Sequence, residues 1–263
     1  MLTDFDLTGR KALVTGAGRG IGKGIALALA EAGADVGVTA FGEANARQVA
    51  SEISASGRKG FGWAADGTRV EPMQRLAEQA LDALGGLDIL INCIGDSIRA
   101  DVASDPSNGE QRKTLTERDW HTVIDINLTQ AFVGCHVFGA HFLGQKHGSV
   151  INVSSFAAFR PGAHMSAYAA AKAGLTRFTE SLALEWAPNG IRVNAIAPGT
   201  FPDPEQLGAA EWQRRQEQGP TDVPLGRFGY LREVGLLAIY LSSPAAAYVT
   251  GQTVSIDGGR TLV

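Results

Sequence analysis

Cysteine is nearly absent from this chain: only Cys93 and Cys135 occur in 263 residues. Each lies in an apolar stretch, so both read as buried free thiols of a reducing compartment rather than a disulfide framework. Positive charge is not in excess either. Lys and Arg number 23 against 27 Asp and Glu, a net charge of −4, which removes the usual footprint of a nucleic-acid or anionic-membrane surface. No apolar run reads as a bilayer span; Val234–Leu241 is too short and suits a core helix. The stretch Met1 to Asp6 has no apolar centre and is not a secretory signal. The expectation is a soluble, cytoplasmic protein with no membrane or nucleic-acid partner. His136, His141, His147 and His164 lack metal-ligand spacing, so no metal is expected. No serine sits in a G-x-S-x-G elbow, which excludes the usual serine hydrolase on an α/β sheet.

What the chain does have is glycine, 33 residues, and a regular alternation. Strand candidates are Lys11–Thr15, Val36–Ala40, Gly60–Ala65, Leu87–Asn92, Ser149–Ser154, Arg192–Ala197 and Thr253–Ile256. Between them run helical patterns at Ile21–Ala32, Ala44–Ser56, Val70–Leu84, Asp119–Gln145 and Ala167–Trp186. Strands separated by helices of that length imply βαβ units and a parallel sheet with helices on both faces. The early strands recur at near-constant spacing, but the intervening sequences share no side-chain signature, so this is not a repeat protein. No Pro/Gly/Ser linker divides the chain. The fold predicted is α/β: one Rossmann-type, doubly wound domain over residues 1–263 with about seven parallel strands. Two polar stretches, Asp96–Arg118 and Phe201–Gly229, follow strand ends, where open α/β sheets bind ligands.

After the first strand comes Thr15-Gly16-Ala17-Gly18-Arg19-Gly20-Ile21-Gly22, opening into a helix. Glycines let the backbone approach a pyrophosphate, and the helix start supplies free N–H groups and partial positive charge. Gly22-Lys23-Gly24 falls short of a P-loop: position 17 is Ala17, and Gly24 brings no hydroxyl for Mg²⁺. The spacing Gly16, Gly20, Gly22 resembles the Thr-Gly-x-x-x-Gly-x-Gly fingerprint of the short-chain dehydrogenase/reductase family.

A second signature is Ser155 at the end of a buried strand, with Tyr168 and Lys172 on one face of an Ala-rich helix. Carbonyl reduction needs a proton at oxygen while hydride reaches carbon. A phenol with a pKa of about 10 needs help near neutrality, and a neighbouring ammonium stabilises its phenolate. Ser155 can donate to the same carbonyl oxygen. With these residues the family resemblance extends over nearly the whole chain, nearest overall to 3-oxoacyl-carrier-protein reductases. The resemblance implies a fourth catalytic residue, Asn127 in Asp125-Ile126-Asn127-Leu128, bending its helix and holding a water behind Lys172. It implies cofactor contacts from Gly16, Arg19, Gly20, Ile21, Gly22, Phe41, Asp66, Gly67, Asn92, Gly95, Tyr168, Lys172, Pro198, Gly199 and Thr200. Asn92-Cys93-Ile94-Gly95 looks like that family's Asn-Asn-Ala-Gly segment, with two of four positions changed. The Thr often found four residues after Gly199 is Asp203 here, so Thr200 is taken to substitute for it.

The second strand ends Thr39-Ala40-Phe41-Gly42, with Ala40 where an NAD site keeps a carboxylate. Nothing there repels a 2′-phosphate, and Arg19 can pair with one. NADP(H) is therefore favoured over NAD(H). Phe156, Phe159, Met165 and Phe201, with His164 and Arg160 as polar anchors, predict a mainly apolar substrate pocket, its entrance narrowed by the Asp101–Lys113 loop. The function expected is hydride transfer between nicotinamide and a ketone or secondary alcohol. A 3-oxoacyl thioester reductase and a polyol or sugar dehydrogenase are the alternatives; a non-catalytic dinucleotide sensor is the alternative from outside the class. The resemblance also implies a homotetramer built on Asp119–Gln145, Ala167–Trp186 and Thr250–Val263.

Overall fold

The structure, a computed structural model, describes residues 2–103 and 113–263. Seven strands lie in one parallel sheet: β1 (Lys11–Val14), β2 (Asp35–Ala40), β3 (Gly60–Ala64), β4 (Ile89–Asn92), β5 (Gly148–Val153), β6 (Ile191–Pro198) and β7 (Thr253–Ile256). Their order is β3-β2-β1-β4-β5-β6-β7, and every pairing is parallel. Central strands are apolar on both faces because helices cover both. Ala12, Leu13 and Val14 in β1, and Leu90 and Ile91 in β4, are fully buried.

One face packs α1 (Gly20–Glu31), α2 (Glu43–Ala55) and α9 (Leu231–Ser242) around Ile25, Leu29, Val49, Ile53, Val234 and Leu241. The α1–α9 contact is close because both helices drop a side chain where they cross. A Cβ on Gly235 would lie 2.5 Å from Ala28 Cβ, and one on Gly24 2.8 Å from Leu231 Cβ. The other face carries α3 (Val70–Leu84), α5 (Gln130–Gln145) and α6 (Ser166–Trp186), with Met73, Leu76, Phe138, Phe142 and Trp186 in its core. The chain winds outward from β1 to β3, then returns to β4 on the other side of β1. That reversal opens a crevice above the carboxyl ends of β1 and β4, where such sheets bind ligands.

Two segments depart from the sequence reading. The helix expected over Asp119–Gln145 is interrupted: α4 (Glu117–Ile124), capped by Thr116, passes through a π-helical turn at Asp125–Thr129 before α5. This run, Glu117–Gln145, is the one described helix long and apolar enough to cross a membrane, with a mean hydropathy of 1.2. Half of its apolar window is buried in the fold, as in the core helix of a soluble protein. Secondly, the polar stretch Phe201–Gly229 contains α7 (Pro204–Leu207) and α8 (Ala209–Gln218). Helix α8 buries no residue and is laced by Glu211 pairing with Arg214 and Arg215, so it shows no apolar stripe. Of the Asp101–Lys113 loop, residues 104–112 lie outside the described residues.

Candidate active site

The crevice is a cleft of about 890 Å³ running from the glycine loop to Tyr168 and Lys172. At its start the backbone turns through Gly16 and Gly20, with φ of +65° and +56°, values that side chains with a Cβ seldom adopt. A Cβ on Gly16 would lie 3.0 Å from Cys93 O, and one on Gly22 2.5 Å from Gly16 O. The loop therefore presents bare backbone and the first N–H groups of α1 to the cleft. This is a cradle that suits a pyrophosphate, because the first N–H groups of a helix lack intrahelical partners.

Gly20 N–H donates to Asp203 Oδ2 at 2.9 Å, however, and Asp203 is nearly buried. Arg19 reaches Gln206 Oε1 at 2.6 Å. Lys23, the near-miss of a phosphate lysine, turns inward. Its ammonium lies 2.6 Å from Glu205 and 2.9 Å from Glu52. Burial depresses its pKa, but the hydrogen bonds it donates to the two carboxylates outweigh that and hold it above its ordinary value.

Beyond the loop, Arg19, Thr39, Ala40, Phe41, Gly42 and Asn45 form one end of the cleft. Asn45 was not legible in the sequence. It reaches this wall from the first turn of α2 because Gly18, opposite, has no side chain: a Cβ there would meet Asn45 Cβ at 3.0 Å. Asp66 lines the middle of the cleft with Gly67; its Oδ1 accepts from Thr68 N–H and Oγ1–H, at 3.0 and 2.6 Å. Asp66 and Gly67 are thus both a turn and a wall of the cleft. Asp35 sits at the other end of β2, paired with Arg58 at 3.0 Å.

At the far end, Ser155 leaves β5 in extended conformation, with its Oγ accepting from Ala157 N–H at 3.1 Å. The same serine side chain is close enough to the Tyr168 hydroxyl to favour its ionised form. Lys172, one turn along α6, is fully buried, with its Nζ 5.7 Å from the Tyr168 ring centre and donating to Val153 O at 2.8 Å. Burial pushes the lysine down to about 8. Burial also raises the tyrosine, against the Ser155 hydrogen bond, with Asp96 and Cys93 adding to the rise. In this geometry the phenol is held up by desolvation, since the buried ammonium itself holds its proton weakly. Burial likewise pushes the Cys93 and Cys135 thiols up to about 12, so neither is a thiolate nucleophile.

Asn127 lies in the π-turn, fully buried, donating through Nδ2 to Asp96 O (2.7 Å) and Val123 O (2.9 Å). Its Oδ1 has no hydrogen-bond partner among the described residues. Gly95 separates it from the lysine: a Cβ there would lie 2.8 Å from Asn127 Oδ1 and 3.1 Å from Lys172 Nζ. An orphaned acceptor beside a buried ammonium is a seat for a bridging water.

Several expected cofactor contacts lie elsewhere. Asn92 is buried beneath the sheet, donating to Asn152 Oδ1 at 2.9 Å and facing Gly134 of α5. In β4 its side chain points to the helix layer, away from the cleft. Pro198 ends β6, and Gly199 packs on Asp257, where a Cβ would come within 2.8 Å. Thr200 turns to the neighbouring cavity, its Oγ1 accepting from Arg260 at 2.7 Å. It is Asp203, not Thr200, that faces the glycine loop. Arg260, which no motif marked, also pairs with Asp222 and lies 4.1 Å from the Phe156 ring centre. Arg160 donates to Arg260 O, and His164 (φ +65°) pairs with Asp101, so both expected polar anchors are engaged within the protein.

A glycine-loop cleft leading to a Ser-Tyr-Lys cluster, on this sheet order, defines a dinucleotide-dependent oxidoreductase. The profile of a family described as Enoyl-(Acyl carrier protein) reductase matches residues 16–261. The chain is similar to 3beta-hydroxysteroid dehydrogenase 1 of Eggerthella lenta, 38% identical over 98% of this chain and 95% of that protein. It is also similar to 3-oxoacyl-[acyl-carrier-protein] reductase FabG of Chlamydia pneumoniae, 34% identical over 98% of this chain and 99% of the other. A solved gluconate 5-dehydrogenase from Burkholderia cenocepacia, in complex with NADP and tartrate, superposes with a TM-score of 0.85. It is 31% identical and covers 100% of this chain and 99% of its own. The chain belongs to the short-chain dehydrogenase/reductase family.

Proposed function

We propose that this enzyme reduces a ketone, or oxidises the matching secondary alcohol, on a mainly apolar substrate, with NADP(H) preferred to NAD(H). The carrying observation is Tyr168 with the buried Lys172 beside it, at the end of the cleft that begins at the glycine loop, with Ser155 close by at the end of β5. The bound nicotinamide would supply or accept the hydride. Tyr168 gives the proton to the carbonyl oxygen in reduction and takes it in oxidation. Ser155 Oγ orients and polarises that oxygen. Lys172 holds positive charge next to the phenol, and Asn127 Oδ1 seats a water that passes the replacement proton toward it.

Gly16, Gly20, Ile21 and Gly22 are the proposed pyrophosphate cradle, while Asp66, Gly67 and Phe41 border the adenosine end. NADP(H) preference rests on Arg19 near Ala40 and Asn45, where β2 ends without a carboxylate; the NADP held by the Burkholderia relative is compatible with it. Apolar preference rests on Phe201, Val223, Leu225 and Ile256, which line the cavity beside Thr200 together with Arg227, Glu233 and Asp257, and on the internal engagement of Arg160 and His164. The reacting end of an apolar ketone suits those apolar side chains better than a polyol does. The chain is proposed to act as one domain, in the cytoplasm, as a homotetramer through the faces that leave Phe132, Leu143 and Leu184 exposed on α5 and α6. Rates on cyclic ketones, acetoacetyl thioesters and keto-sugars at equal concentration, with NADPH and NADH, test the reading. A clear preference for keto-sugars overturns the apolar pocket, and no turnover with any of them overturns the function.

A further inference from the structure

Three side chains of one short segment close on the phosphate loop and the first turn of α1. Asp203 accepts from Gly20 N–H, Glu205 pairs with Lys23, and Gln206 accepts from Arg19. The segment is also braced from within: Asp203 Oδ1 accepts from Glu205 N–H at 3.0 Å, and its Oδ2 accepts from Gln206 Nε2 at 2.9 Å. Gly20 is the first residue of α1, where unpaired N–H groups sum to roughly half a positive charge. A carboxylate stands in the electrostatic seat that suits a pyrophosphate.

We propose that Asp203 sets the affinity of this enzyme for its dinucleotide by acting as an internal anion that competes for the start of α1. The proposal rests on the cleft being the dinucleotide site. Two anions at one N–H donor repel each other, and a pyrophosphate brought beside Asp203 and Glu205 meets two like charges in a partly buried setting. Cofactor entry therefore displaces Asp203 from Gly20, and each contact of the latch lowers the fraction of molecules ready to bind. Release has a second consequence. Phe201, two residues before Asp203, lines both the cleft and the cavity beside Thr200, with its ring against Gly229. Moving the latch moves a wall of the proposed substrate pocket, so cofactor binding and substrate access are coupled through Phe201.

The experiment is binding, not turnover: dissociation constants of NADPH, NADH and inorganic pyrophosphate for the full chain, by calorimetry. Asp203→Asn removes the charge and keeps the size, and loss of a charge-assisted contact of this kind corresponds to about tenfold. All three probes are expected to bind about tenfold tighter to D203N. Glu205→Gln, which loosens the latch without touching Gly20, is expected to tighten them by about threefold and serves if D203N does not fold. Unchanged or weaker binding in the folded variants, with a wild type that binds dinucleotide, overturns the competition. A wild type that binds no dinucleotide overturns the site on which it rests.

Discussion

Replacing Gly95 by alanine is the smallest change that reaches the centre of the proposed chemistry. The new methyl would sit 2.8 Å from Asn127 Oδ1 and 3.1 Å from Lys172 Nζ, where ordinary contact begins at 3.4 Å. Asn127 has to retreat by about 0.6 Å and Lys172 by about 0.3 Å, on that same limit. Neither has slack. Asn127 is tied by two hydrogen bonds and Lys172 by one, all between 2.7 and 2.9 Å. Overpacking of this kind costs about 1–3 kcal/mol of stability. A misplacement of about 1 Å costs a rate of about a hundredfold, so a few tenths of an ångström should lower turnover by about tenfold. The assay is steady-state ketone reduction beside thermal unfolding, with Gly144→Ala as control, since a Cβ at that position meets nothing within 4 Å. Full turnover and unchanged stability in Gly95→Ala would refute the placement of Asn127 and Lys172 around a shared point.

Three further outcomes follow from the same geometry. Lys172, pushed down to about 8 from its ordinary 10.5, is charged in both folded and unfolded chains below about pH 8, where its burial cost is fully present. Between those values the unfolded chain keeps a proton the folded chain has shed, so this residue makes stability rise with pH, by about 3 kcal/mol at most. Lys172→Met should lose that rise, and a wild-type-minus-variant stability curve that stays flat from pH 8 to 10.5 counts against the buried ammonium. Arg19→Ala should narrow the preference for NADPH, and Ala40→Asp should swing binding to NADH; a wild type that prefers NADH severalfold contradicts both. Light scattering at micromolar concentration should give the tetramer mass, and a monomer mass would rule that assembly out.

Much of the frame was legible because parallel strands buried on both faces leave short β-branched runs, such as Val150–Val153 in β5, between helices of crossover length. The spacing of Tyr168 and Lys172 carried their proximity, since a helix brings residues four apart onto one face. What stayed hidden depends on tertiary contact. Helix α8 shows no stripe because none of its residues belongs to the buried core. Asn45 faces the cleft through a gap left by Gly18, which no local pattern records. Thr200 turns from its expected place because Arg260, near the end of the chain, donates to Thr200 Oγ1. The inward turn of Lys23 depends on Glu52 and Glu205, both distant in sequence.

The central claim is that Tyr168, beside Ser155 and flanked by Lys172, carries the proton that accompanies hydride transfer. Its most direct test is single-turnover oxidation of NADPH by an apolar ketone, followed by nicotinamide absorbance, in wild type and Tyr168→Phe with cofactor binding measured on each. General acid catalysis of this kind contributes about 10²–10⁴-fold. The variant should bind NADPH as wild type does and transfer hydride at least about a hundredfold more slowly; near-normal transfer with intact binding would contradict the account.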